Sequence, residues 1–195
     1  MPHIDDHDSV LVVIDAQPGF YGPDRPDADA VAHTSALERA AWVTAVASAM
    51  SIPIVVTEED PARNGSTSAA IGTSLPPGTP VLTKTVFGAD GQPDIDSTVR
   101  AAGRGTVVLV GTETDVCVAQ SALGWHAAGL RAVVVHDAVY SAGRGHENGI
   151  RRLRDEGIEL VSAKELYYEW LRTLPRVREL EAAHPALADP PGFSL

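Results

Sequence analysis

Three residues able to act together in nucleophilic chemistry stand at the ends of apolar runs: Asp15 after residues 10–14, Lys84 after 81–83, and Cys117 a short turn beyond 106–110. A carboxylate beside a thiol can accept its proton, a cation supports the thiolate, and the thiolate can attack a carbonyl to form a covalent intermediate. Cys117 is the chain's one cysteine and opens a helical pattern. Backbone N–H groups and the dipole at a helix start favour an anion, so this thiol is expected to ionise easily. Successive N–H groups from Thr112 to Cys117 could hold a developing oxyanion. Each residue also has an ordinary role: a turn aspartate, a solvated lysine, a small buried hydrophobe. Convergence on one edge of a sheet is what separates the two readings.

That convergence depends on the elements. Short runs rich in Val, Ile and Leu at 10–14, 52–57, 81–83, 106–110, 131–136 and 158–161 read as buried parallel strands. Helical patterns at 28–50, 94–102, 117–128, 146–155 and 164–174 separate most of them, with a further short one at 176–183. Alternation of this kind implies right-handed crossovers and a three-layer α-β-α sandwich around a mostly parallel sheet of about six strands. Ligands bind such sheets beyond the carboxyl ends of the strands, where strand order reverses. Residues 58–80, rich in Pro, Gly, Ser and Thr, read as a long loop with at most a short helix. The proline-rich tail 175–195 reads as a frayed end or an arm to another subunit.

The chain has 195 residues, 44% hydrophobic and 21% charged, which fits one globular domain. No apolar stretch approaches the roughly 18 residues of a membrane helix, and the acidic opening Met-Pro-His-Ile-Asp-Asp-His-Asp is unlike a signal peptide. A cytoplasmic protein is the expectation. A net charge of −11 argues against a nucleic-acid binder, which needs basic patches. No dinucleotide fingerprint or phosphate loop is present, so no cofactor is expected.

The stretches Val-Val-Ile-Asp15-Ala-Gln17-Pro-Gly-Phe20, Leu-Thr-Lys84-Thr-Val-Phe87-Gly and Gly111-Thr-Glu113-Thr114-Asp115-Val-Cys117-Val resemble, in order and spacing, the three catalytic motifs of the isochorismatase-like cysteine hydrolases. The resemblance spans about residues 8–174 and implies that family's Rossmann-like topology. It implies Asp15 as general base, Lys84 as the cation supporting the thiolate, and Cys117 as nucleophile. It also implies a cis peptide at Thr112–Glu113 and an oxyanion hole from the Glu113 and Cys117 N–H groups. Gln17, Phe20 and Phe87 fall where the family's motifs approach substrate, and Asp115 where a residue braces the turn. A homo-oligomer, dimer or tetramer, acting on a small molecule is the implied state.

One departure narrows the expectation. The nicotinamidase metal motif has no counterpart: the corresponding stretch is Thr57-Glu58-Glu59-Asp60-Pro61, and no histidine occurs between His33 and His126. No imidazole-based metal site is expected, and the acidic run reads as a solvated loop rather than a cation site. The resulting expectation is a hydrolase cleaving the C–N bond of a small amide through an acyl-enzyme on Cys117. Two alternatives stand beside it: isochorismate-type vinyl ether hydrolysis by Asp15 and Lys84, and a non-hydrolytic redox or ligand-binding protein using a reactive Cys117. His136, His146, Arg144 and Trp125 read as capping, packing, surface or core residues.

Overall fold

The computed structural model describes residues 2–21 and 25–195. Strands β1 (Ser9–Ile14), β2 (Ile54–Glu59), β3 (Val81–Lys84), β4 (Thr106–Thr112), β5 (Arg131–Tyr140) and β6 (Glu159–Val161) form one sheet in the order β3-β2-β1-β4-β5-β6. Every neighbouring pair is parallel. The order reverses between β1 and β4, so the crevice of the sheet lies beyond Ile14 and Thr112. Every residue of these two strands is buried, which is why they read as unbroken apolar runs rather than alternating ones.

The pleat divides the core in two. Leu11 and Val13 pack with α1 (Ala30–Ala49), α7 (Ala163–Leu171) and α8 (Leu174–Ala183). Val10, Val12 and Ile14 pack on the other face with α4 (Pro93–Ala101), α5 (Ala119–Ala127) and α6 (Gly145–Asp155). Each fully buried Val, Leu or Ile contributes about 1.5–3 kcal/mol relative to exposure. Helix starts follow local chemistry. The Asp29 carboxylate accepts from the N–H groups of Val31 and Ala32 and opens α1, and Ser162 with Glu165 forms a capping box at α7.

Three segments differ from the sequence expectation. β2 continues through Glu59, and two one-turn helices, α2 (Pro61–Asn64) and α3 (Ala69–Gly72), occupy the expected loop. Glu58, rather than facing water, accepts from the Thr67 N–H at 2.6 Å and its hydroxyl at 2.7 Å. β5 runs on to Tyr140 because a register shift opposite Leu109 and Gly111 lets Val139 and Tyr140 pair again with β4. The tail packs on its own molecule: Val177, Leu180 and Leu187 are buried, and Phe193 meets Trp42 edge-on. Among the described residues no helix is long and apolar enough to cross a membrane.

Candidate active site

β1 ends at Ile14, and Asp15 adopts a left-handed φ of 43°, costly for a residue with a Cβ. Its N–H donates to the Thr57 carbonyl at 3.1 Å, and its Oδ1 accepts from the Thr57 hydroxyl at 2.7 Å. Oδ2 lies 2.6 Å from Lys84 Nζ. Lys84 belongs to the edge strand β3, yet its side chain is fully buried. Its ammonium also donates to the Val86 carbonyl at 3.1 Å, to Glu59 Oε2 at 3.2 Å and to Cys117 Sγ at 3.4 Å. The three strand-end residues singled out in the sequence therefore meet around one ammonium.

Cys117 reaches them through a π-helical turn, Thr114–Val118, in which the Val118 N–H bonds to the Glu113 carbonyl five residues back. The Thr112–Glu113 peptide ahead of it is cis. Gly111 permits the approach: with φ at 114°, a Cβ there would lie 2.0 Å from the Ile14 carbonyl oxygen. Asp115 accepts from the Ser141 hydroxyl at 2.6 Å, and Thr114 meets His146 at 3.1 Å, so both bonds tie the turn to its surroundings. Trp125 is buried in the core beneath it.

Glu59 was not among the expected site residues. Its Oε2 lies 3.3 Å from Cys117 Sγ as well as beside Lys84. The signal was periodicity: Val55, Thr57 and Glu59 share one face of β2, so extending the strand two residues places the carboxylate level with Lys84, its register partner. Gln17, expected near substrate, instead grips the Glu59 backbone. Its amide oxygen accepts from the Glu59 N–H at 2.7 Å and its amide nitrogen donates to the carbonyls of Glu59 and Gly65. Phe20 lines a cavity of about 460 Å³ together with Arg25, Glu59, Asp60, Arg63 and Glu113. Phe87 lies outside that lining and is 56% exposed. Residues 22–24 fall outside the described residues.

The electrostatics reverse one expectation. Burial first, then the Asp15 and Glu59 carboxylates, push the Cys117 thiol well above its ordinary range, and the Lys84 ammonium opposes them only in part. The protonated thiol is thus favoured rather than easily ionised, because the helix start that favours an anion is outweighed by burial first and then by the two nearby carboxylates. Burial also raises the Asp15 carboxyl against the pull of Lys84, which makes it a stronger proton acceptor. Lys84 is held protonated: burial disfavours its charge, but Asp15, Cys117 and Glu59 together raise it. Ligand atoms of Asp15, Glu59 and Cys117 lie within 4.8 Å of one another. The Lys84 ammonium stands within 3.4 Å of each, which makes the cluster unsuited to a metal ion.

Residues 9–165 match the model of the isochorismatase domain. A secreted isochorismatase effector of Phytophthora sojae is 30% identical over 168 residues, covering 84% of this chain and 77% of that protein. Among solved structures, an octameric hydrolase of unknown specificity from Escherichia coli superposes with a TM-score of 0.79 at 20% identity, over 96% of this chain and 93% of that one. A cysteine hydrolase from Pseudomonas syringae superposes at 0.72 and 14% identity, over 92% and 97%. A ribonuclease from Caenorhabditis elegans reaches 0.79 at 24% identity, over 100% and 98%. The likeness to the solved structures shows the fold. The family match over most of the chain, with the 30% identical relative, shows that this chain belongs to the isochorismatase family of hydrolases.

Proposed function

We propose that this chain hydrolyses the C–N bond of a small amide through a covalent acyl-enzyme on Cys117. The observation that carries the reading is the placement of Lys84 Nζ 3.4 Å from Cys117 Sγ and 2.6 Å from Asp15 Oδ2. On substrate arrival Asp15 takes the thiol proton as sulfur attacks the carbonyl carbon. The N–H groups of Glu113 and Cys117 hold the oxyanion, and Lys84 balances the charge that moves between sulfur and carboxylate. Asp15 then gives the proton to the leaving nitrogen, the C–N bond breaks and a thioester remains. Water attacks the thioester, its proton passes to Asp15 and then to the departing sulfur, and the acid is released. No step uses a cofactor.

Burial of the thiol speaks against a peroxide sensor, which needs an exposed thiolate. Release of ammonia or amine from a panel of small amides tests the main reading, with Cys117→Ala expected to lose it. Full activity in that variant would overturn the proposal, and vinyl ether cleavage retained there would favour isochorismate-type chemistry at Asp15 and Lys84. The octameric state of the Escherichia coli neighbour supports a homo-oligomer here also. Sedimentation showing only monomer at micromolar concentration would reject it.

A further inference from the structure

Two carboxylates, Asp15 and Glu59, share the one ammonium of Lys84, leaving a formal excess of one negative charge in a buried site. Asp15 and Lys84 are sealed from solvent, whereas Glu59 is the ionisable member that both contacts the thiol and lines the cavity. Its Oε2 is taken by Cys117 and Lys84, and no described residue bonds to Oε1. Elsewhere in the cavity, Arg25 is engaged by Glu113 at 3.1 Å, and Arg63 is exposed and makes no ion pair among the described residues. Asp60 adds another acid to the wall. We propose that Glu59 is a specificity residue that selects substrates carrying a positively charged amino group beside the scissile carbonyl, received by the carboxylate oxygen to which no described residue bonds.

The inference rests on the amidase reading for its chemistry but not for its geometry. In the first step the thiol proton moves to Asp15 while a negative charge appears on the carbonyl oxygen, so the unbalanced unit of charge persists through the reaction. A substrate bearing one positive charge at Glu59 closes that balance before sulfur attacks. It also weakens the repulsion that keeps the proton on sulfur, so activation of the thiol follows occupancy. A neutral amide leaves both effects in place, and an anionic one adds a third negative charge beside Asp15 and Glu59.

Two thiol-specific reagents with the same reactive group and two-carbon tether but opposite charge, methanethiosulfonate ethylammonium and methanethiosulfonate ethylsulfonate, test this without any turnover. Because the chain holds one cysteine, intact mass reads modification of Cys117 alone. The wild-type protein is expected to react at least about tenfold faster with the cation than with the anion, and Glu59→Gln to lose most of that ratio. Glu156→Gln, an equal charge change on the exposed far surface, is expected to keep it. The substitution keeps a side-chain oxygen for Lys84 and the thiol and leaves the Gln17 bonds to the backbone intact. A ratio near one in the wild type would overturn the proposal even if Glu59→Gln did not fold. So would a ratio unchanged in Glu59→Gln or reduced equally in Glu156→Gln. If no amide is cleaved by the wild type, the hydrolytic reading falls separately, and the reagent ratio still judges Glu59.

Discussion

Asp15, Lys84, Glu59 and Cys117 make a site in which each charge depends on its neighbours, so single changes have directions that differ from simple loss. Asp15→Asn removes a carboxylate that raises the thiol, so iodoacetamide alkylation of Cys117 is expected to move to lower pH while hydrolysis is lost. Lys84→Met removes the opposing cation, and the alkylation profile is expected to move up. An Asp15→Asn profile at the wild-type position would show that the two side chains are not electrostatically coupled. Lys84→Met also leaves the Asp15 carboxylate buried without its cation, with an expected cost of about 3–5 kcal/mol in urea unfolding. The double variant with Asp15→Asn is expected to recover part of that loss. At this scale the sequence was informative about three of the four groups, because strand ends in a parallel sheet converge. Glu59 was hidden because a run of acids after a strand usually faces water, and only the two further residues of pairing in β2 show otherwise.

Elements bring those residues together through a close approach of two strands. β4 passes so near β1 that Gly111→Ala would drive a methyl group to 2.0 Å from the Ile14 carbonyl oxygen. Its expected cost is about 4 kcal/mol or more, or failure to fold. Gly129→Ala has a similarly positive φ of 87° but open space around it, so about 1–2 kcal/mol is expected from backbone strain alone. Equal costs for the two in chemical denaturation would refute the account of how the turn reaches the crevice. Strand and helix order were legible because the centres of β1 and β4 are runs of Val, Leu and Ile, and α1, α7 and α8 carry side-chain caps. The extension of β5 to Tyr140 and the π-helical turn before α5 were not, since both arise from pairing and packing with distant residues.

Across the whole molecule, the ends close the fold rather than extend from it. Arg176 of α8 binds Asp6 at 2.7 Å, tying the tail to the segment before β1. Burial raises the Asp6 carboxyl, but Arg176 outweighs it and the net shift is downward. A lowered folded value means that stability is present above the unfolded pKa of about 3.9 and lost as pH falls through the folded one. The urea midpoint of the wild type is therefore expected to exceed that of Arg176→Met at pH 7, with the gap shrinking near about pH 3. A constant gap would assign Arg176 a packing role only. Composition and charge bounded the class of molecule, but the docking of Phe193 on Trp42 is a tertiary contact that a proline-rich tail does not announce. The proposed activity of the whole molecule turns on covalent chemistry at the one sulfur. Intact mass after rapid quenching with a slowly hydrolysed amide tests it most directly: the account predicts one acyl increment on wild-type protein and none on Cys117→Ala. Amine release at the wild-type rate from Cys117→Ala, or turnover with no increment on Cys117 under any quench, would contradict it.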